Sequence, residues 1–153
     1  MTIDRRSFLT IAGLGTLGAM AGPMLPRASA STNDLEVFKT PWCGCCGSWV
    51  THMRAAGFTV RVTEMEDLDP VKRRFNIPED LQACHTGLID GYVIEGHVPA
   101  RDVQRLLVER PEAIGLSVPG MPVGSPGMEQ SGRQDQYFVV LFSSTRRAAF
   151  ARY

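Results

Sequence analysis

Three of the four cysteines in this sequence lie within four consecutive positions, Cys43 to Cys46, in the stretch KTPWCGCCGSW. Cys43 and Cys46 have the C-x-x-C spacing of a thiol–disulfide redox motif. Cys45 does not fit that motif, because exchange between two thiols needs no third thiol inside it. The fourth cysteine, Cys84, stands beside His85 in ACHTG. The sequence therefore indicates a chemistry that uses more sulfur than one disulfide needs.

Converging thiolates are the preferred ligands of soft cations such as Cu(I), and bridging sulfur can hold more than one ion. The three thiols are predicted to lie at a helix start, where one turn separates Cys43 from Cys46 and about 100° separates Cys45 from Cys46. A multinuclear copper site, with copper as Cu(I), is the favoured interpretation. A closed zinc site is the weaker metal alternative, since zinc motifs usually combine two separated pairs of ligands.

Two functional alternatives remain open beside a copper-holding site. A thiol–disulfide oxidoreductase would use Cys43 as the nucleophile and Cys46 as the resolving thiol, helped by the amide dipoles of the helix start. A copper chaperone would pass its ions to an acceptor protein. An enzymatic copper oxidoreductase activity is left open, and a metal-binding role is favoured.

Cys84 and the histidines are the candidate partners of the cysteine cluster. Cys84 is predicted at the entrance to a strand that faces the first helix, which would bring its thiol over the cluster. His97, in EGHVPA, is a candidate ligand, with a structural hydrogen-bonding role as the alternative. His85 would point away from the cluster if the local backbone were extended. His52, about 10 Å along the helix axis from Cys45, is expected to be solvated.

A long segment rich in Gly, Pro and Ser, residues 111–135, is predicted to be a functional loop. It repeats Pro-Gly-Met, at Pro119–Met121 and at Pro126–Met128. A thioether is a soft ligand for Cu(I), so Met121 and Met128 are candidate ligands on a lid over the site. The alternative is that both methionines fill gaps in the core.

The elements that must position these residues alternate along the chain. Period-two patterns predict strands at 35–40 and 58–65, a hairpin turned at Asp90-Gly91, and a terminal strand pair. Period-3.6 patterns predict helices from Cys46 to Gly57, over 68–75 with Asp69 as N-cap, and after Pro99. This order is typical of a single α/β domain, a sandwich of the thioredoxin type.

The N-terminal residues predict export. Arg5 and Arg6 precede an apolar run in a twin-arginine pattern. Ala28-Ser29-Ala30 is a signal-peptidase pattern, so residues 1–30 are predicted to be a signal peptide and 31–153 a periplasmic domain. The apolar run, fifteen residues from Ile11 to Leu25, is shorter than the ~20 residues that span a bilayer. No membrane span is expected after cleavage.

Charge gives no indication of a nucleic-acid partner. The whole chain has a formal net charge of zero, and residues 1–30 hold three arginines and one acidic residue, which leaves −2 on residues 31–153. Because a nucleic-acid surface needs clustered Lys and Arg, nucleic acid is not expected to bind.

Three stretches, WCGCCGSWVTHM, ACHTGLIDGYVIEGHVPARDVQRLL and GLSVPGMPVGSPGME, resemble the CopG-type family of exported bacterial copper-resistance proteins. The resemblance runs from Leu35 to Phe142. It implies a thioredoxin-like fold, a cysteine-bridged multinuclear copper cluster, a role in copper redox handling, and other periplasmic copper-resistance proteins as partners. By position it implies cluster thiols and further site residues at Cys43, Cys45, Cys46, Cys84, His97, Met121 and Met128.

One stretch departs from this resemblance. A turn rich in Asp and Gly is expected between the last two strands, and this chain has SSTRRA there. The geometry of that hairpin is therefore not predicted.

Overall fold

A seven-stranded sheet runs through the part of the chain that this computed structural model describes, residues 33–153. The strands are β1 Asp34–Lys39, β2 Thr59–Glu64, β3 His85–Ile89, β4 Tyr92–Gly96, β5 Gly115–Val118, β6 Phe138–Phe142 and β7 Arg147–Arg152. The α-helices of the same part are α1 Gly44–Ala55, α2 Asp69–Arg74 and α3 Ala100–Glu109, with a 3-10 turn at Glu79–Leu81. The predicted signal peptide, residues 1–30, lies outside the described residues.

The strand order is β2-β1-β3-β4-β5-β6-β7. Helix α1 connects the parallel pair β1 and β2, and α3 connects the parallel pair β4 and β5. The other neighbours are antiparallel. These elements form one mixed α/β domain.

The register of the sheet brings four connecting segments to one end of it, called here the site end. Lys39, the last residue of β1, pairs with His85, the first residue of β3. Gly96, the last residue of β4, pairs with Val118, the last residue of β5. Because β3 and β4 are antiparallel, the start of β3 and the end of β4 lie side by side. The residues after β1, before β3, after β4 and after β5 therefore meet there.

Both faces of the sheet are covered. Helices α1 and α3 pack on one face, where Trp49, Met53, Val103 and Leu106 join a core that includes Ile94. The segment that follows α2 covers the other face, with Ile77 and Leu81 against Val93 and Phe142. Val93 and Ile94 are consecutive in β4, so their separate clusters identify the two faces. This packing fixes α1 and α2 on opposite sides of the site end.

Most predicted elements are confirmed, with two corrections. Asp69 is the first residue of α2 and Leu68 is its N-cap, so the predicted cap is wrong. Residues 111–135 are not all loop, because they contain β5, which is only four residues long.

The last hairpin forms without an Asp- and Gly-rich turn. Ser143 accepts a hydrogen bond at its Oγ from the Arg146 amide (3.0 Å), and its own amide donates to the Arg146 carbonyl (2.9 Å). The serine side chain thus closes the turn that SSTRRA left unpredicted.

Candidate metal centre

The first turn of α1 carries three of the four cysteines. Cys43 is the N-cap of the helix, and its amide donates to the Thr40 carbonyl (3.2 Å). Cys43 and Cys46 form a disulfide with a Cα–Cα distance of 5.4 Å. Cys45 is a free, half-buried thiol between them. The free amides of this helix end carry a partial positive charge, which favours a thiolate or another anionic group there.

Cys84 completes a group of four sulfur atoms. It lies in a bend just before β3, and its Sγ and those of the other three cysteines all lie within 4.8 Å of one another. The Sγ atoms of Cys43 and Cys45 are 3.5 Å apart, and the Cys46 Sγ lies 3.6 Å from the Cys84 carbonyl oxygen. The predicted meeting of distant cysteines is thus present in the fold.

The donor set of this four-sulfur group suits a soft cation. Thiolates select Cu(I) or Zn(II), and four of them within 4.8 Å could share ions between them. Reduction of the Cys43–Cys46 disulfide is required before all four sulfurs can act as thiolates. Burial, with the nearby Cys45 as a second cause, raises the pKa of the Cys84 thiol to about 12. A bound cation must therefore displace a proton from Cys84.

His97 is fully buried beside Cys84, with its proton position fixed. Its Nδ1 lies 2.8 Å from the Pro126 carbonyl oxygen, which can only accept, so Nδ1 carries the hydrogen. Its Nε2 faces the Cys84 Sγ at 3.2 Å. Burial lowers the pKa of His97, which keeps the ring neutral and the Nε2 lone pair available. A carbonyl that orients the far nitrogen in this way is typical of metal-binding histidines.

His85 is also fully buried, between Trp49 and His97. Its ring centroid is 4.3 Å from that of Trp49 and 5.0 Å from that of His97. Its Nδ1 lies 3.4 Å from the Cys84 Sγ, and its Nε2 has no hydrogen-bond partner among the described residues. Burial lowers the pKa of His85 well below its ordinary value. The condition under which His85 would point away, an extended local backbone, is not met, because Cys84 lies in a bend where strand alternation does not apply.

A buried ion pair on the α2 side holds the bend that carries Cys84. Lys72 of α2 pairs with Glu95 of β4, and its Nζ donates to the Ala83 carbonyl (2.9 Å). Glu95 accepts from the Ala83 amide (2.7 Å) and from the Thr86 hydroxyl (2.7 Å). Burial raises the pKa of Glu95, and Lys72 opposes that effect. The sequence does not predict this pair, since nothing local distinguishes Lys72 from the adjacent Arg73 and Arg74.

The second Pro-Gly-Met copy packs on the first turn of α1. A Cβ at Gly127 would lie 2.8 Å from the Cys45 carbonyl oxygen and 2.8 Å from the Trp49 amide nitrogen. Pro126 contacts His97 through the hydrogen bond described above, and Met128 follows, half-buried. The first copy differs, since Met121 is 54% exposed. The loop therefore covers the centre at its second copy.

His52 has a structural role that sequence analysis did not predict. It is half-buried, and its Nε2 accepts a hydrogen bond from the Ala100 amide (3.1 Å) at the start of α3. Burial lowers its pKa, which favours the neutral, accepting form. The prediction of a solvated side chain is wrong, and His52 connects two helices away from the cysteines.

Comparison with known proteins places this geometry in a family. Residues 81–128 match the model of a family described as a protein of unknown function, DUF411. Two solved structures, both titled copper resistance protein CopG and given as form 1 and form 2, are each 45% identical to this chain. Each covers 78% of this chain with a TM-score of 0.75, over 97% of the form 2 chain and 96% of the form 1 chain. A comparison with curated proteins gives no match.

The fold and the site define a class: small α/β proteins whose sheet end assembles a cysteine-rich centre suited to metal ions. The chain belongs to the CopG family of copper resistance proteins. Within residues 33–153, no helix is long and apolar enough to cross a membrane.

Proposed function

We propose that this protein is a periplasmic copper-binding protein of copper resistance, which holds copper as Cu(I) in a multinuclear, cysteine-bridged site. The convergence of four cysteine sulfurs within 4.8 Å, from the start of α1 and from the bend before β3, carries this proposal. The two similar structures are of copper resistance proteins, which supports copper as the metal.

Each ligand has a defined task in the proposal. Cys43, Cys45 and Cys46 would supply thiolates at the positive end of α1, and Cys84 would supply the fourth from the bend before β3. His97 supplies a neutral nitrogen that Pro126 holds in place. Met128 follows Gly127, which packs on α1, so its thioether belongs to the part of the loop that contacts this helix. Met121, more exposed, is proposed as a further thioether ligand from the first copy of the motif.

The wider proposal includes the fold type and the location. A strand, a helix that begins at C-x-x-C and a parallel second strand, followed by an antiparallel pair, support a thioredoxin-like architecture. The twin-arginine pattern supports export with cleavage after Ala30 and a periplasmic residence. Periplasmic copper-resistance proteins are the proposed partners.

The Cys43–Cys46 disulfide supports a second candidate function, thiol–disulfide exchange. Redox cycling of copper would join the two, because the same sulfurs can be a disulfide or part of a metal site. A pure oxidoreductase would need only this pair.

The variant Cys45→Ser separates the two candidates. The copper proposal predicts that the reduced variant binds less copper than the wild type while it retains disulfide-exchange activity towards a model disulfide. Copper per chain is measured by elemental analysis after anaerobic loading. Unchanged copper in Cys45→Ser and in Cys84→Ser would contradict the cluster, and exchange activity without copper binding by the wild type would leave exchange as the function.

A further inference from the structure

We propose that Cys84, His85 and His97 form a one-copper site that remains competent while the Cys43–Cys46 disulfide is intact. This site, called here the triad, is one thiolate with two imidazoles. It rests on the proposed copper function for the identity of the metal and goes beyond the four-sulfur cluster. Its ligand atoms all lie within 4.8 Å of one another.

The distances within the triad match those between ligands of one ion. An ion with sulfur at about 2.3 Å and nitrogen at about 2.0 Å separates these two ligands by about 3.5 Å in tetrahedral geometry and about 3.7 Å in trigonal geometry. The Cys84 Sγ lies 3.2 Å from the His97 Nε2 and 3.4 Å from the His85 Nδ1. Little movement is therefore needed for the three atoms to surround a metal.

The proton pattern of the triad also favours a cation. The Pro126 carbonyl holds the hydrogen of His97 on Nδ1, so its Nε2 presents a lone pair to Cys84. No described residue bonds the His85 Nε2, so the hydrogen of His85 can sit there and leave Nδ1 free as a ligand. One thiol proton cannot serve both ring nitrogens at once, whereas a cation that replaces this proton can accept both lone pairs.

The disulfide removes two sulfurs from the four-sulfur group but none from the triad. Cys43 and Cys46 are the oxidised pair, while Cys84 is a free thiol. Trp49, Pro126 and the Lys72–Glu95 pair support the triad. The Cys46 Sγ lies 3.6 Å from the Cys84 carbonyl oxygen, and the triad distances given above are those of the protein with its disulfide formed, so they require no reduction of that pair.

The donor atoms of the triad determine which metal it binds. One cysteine thiolate with two histidines is the trigonal arrangement of copper electron-transfer sites, in which either valence is bound. We therefore expect the oxidised protein to take one copper ion at the triad, in contrast to the several ions expected for the reduced cluster.

The test uses Cys45→Ser with its disulfide intact, because Cys84 is then the remaining free thiol. Cu(II) is added, and native mass spectrometry reads the copper count and the disulfide together, while absorption spectroscopy reads thiolate ligation. One copper per chain with an intense visible thiolate-to-copper charge-transfer band is expected. No bound copper, or bound copper without that band, would overturn the triad.

Histidine variants on the same background show whether the rings are ligands. His97→Asn keeps a donor for Pro126 and removes the Nε2, and His85→Gln removes the Nδ1. Each is expected to weaken copper retention by at least about tenfold, the lower end of what the loss of a supporting contact to a ligand costs. His52→Gln, a histidine outside the triad, is the matched control and is expected to bind like its parent. Binding unchanged in both triad variants would show a lone-thiol adduct instead.

The outcome is separable from that of the proposed function. Failure of the triad leaves copper loading of the reduced wild type intact, whereas failure of the proposed function leaves the reduced wild type with fewer than two copper ions per chain. Far-ultraviolet circular dichroism of each variant, matched to its parent, excludes unfolding as the cause of lost binding.

Discussion

At the scale of single residues, two hydrogen positions decide what the centre can bind. The His97 proton is fixed on Nδ1 by a carbonyl that can only accept. The Cys84 thiol keeps its proton because burial raises its pKa to about 12. The centre therefore presents a ready nitrogen and a thiol that a metal must deprotonate, so binding and proton release are coupled.

This coupling predicts a pH dependence for copper binding. Because the Cys84 pKa is about 12, the thiol is protonated across the neutral range and each loading event releases its proton. Apparent Cu(I) affinity of the reduced protein should rise by at least about tenfold per pH unit, the effect of one proton. Competition with a Cu(I) chelator at two pH values measures this slope. Cys84→Ser should release one proton fewer per loading event, so its Cu(I) affinity should depend less steeply on pH. An equal slope in that variant would contradict Cys84 as the source of the proton.

At the scale of elements, the centre is made by four segments that leave the same end of the sheet. The strands and helices beside these segments follow from local patterns, such as the strand before Cys43 and the turn at Asp90-Gly91, where both residues have positive φ. For the Pro-Gly-Met loop, the sequence predicts only that it forms a lid over the site. Its contact point, Gly127 on α1, depends on tertiary packing that no local pattern specifies.

The loop contact predicts a difference between two glycines of the same motif. Gly120 and Gly127 both have positive φ, +70° and +86°, so alanine is strained at either position by about 1–2 kcal/mol. At Gly127 the new Cβ also meets α1 backbone atoms at 2.8 Å, whereas a Cβ at Gly120 has no described atom within 4 Å apart from those of Gly120 and its two chain neighbours.

Gly127→Ala should therefore lower both copper affinity and unfolding free energy more than Gly120→Ala does. Chelator competition and urea unfolding measure the two effects. Equal losses in the two variants would show that the loop does not pack on α1.

At the scale of the whole molecule, a buried charge pair holds together residues that are far apart in sequence. Lys72 and Glu95 join α2 to β4 and hold the backbone at Ala83, next to Cys84. The sequence predicts the cysteines and His97 as site residues, and it predicts the family, because these residue types and their spacing are unusual. Lys72, Glu95 and the orientation of His85 could not be predicted, since their roles arise from pairing across the sheet and from a bend.

The buried pair predicts a large loss of stability when its cation is removed. Lys72→Met leaves the Glu95 carboxylate buried without its partner, which costs about 3–5 kcal/mol of unfolding free energy. Burial already raises the Glu95 pKa, and loss of Lys72 removes an opposing effect, so the folded variant prefers a protonated Glu95. A raised folded pKa gives stability that is lost as pH rises, so the variant should be less impaired at pH 5 than at pH 8.

Urea unfolding at the two pH values measures this effect. Arg73→Met, on the exposed face of the same helix, is the control and should change stability by no more than about 0.5 kcal/mol. A loss in Lys72→Met that is small or independent of pH would contradict a charged buried pair.

The proposed function requires the four cysteine sulfurs to hold copper together. Native mass spectrometry of the reduced protein, loaded with Cu(I) under anaerobic conditions, tests it most directly. We expect at least two copper ions per chain, and loss of them when all four cysteines are alkylated before loading. Fewer than two copper ions, or the same number after alkylation, would contradict it.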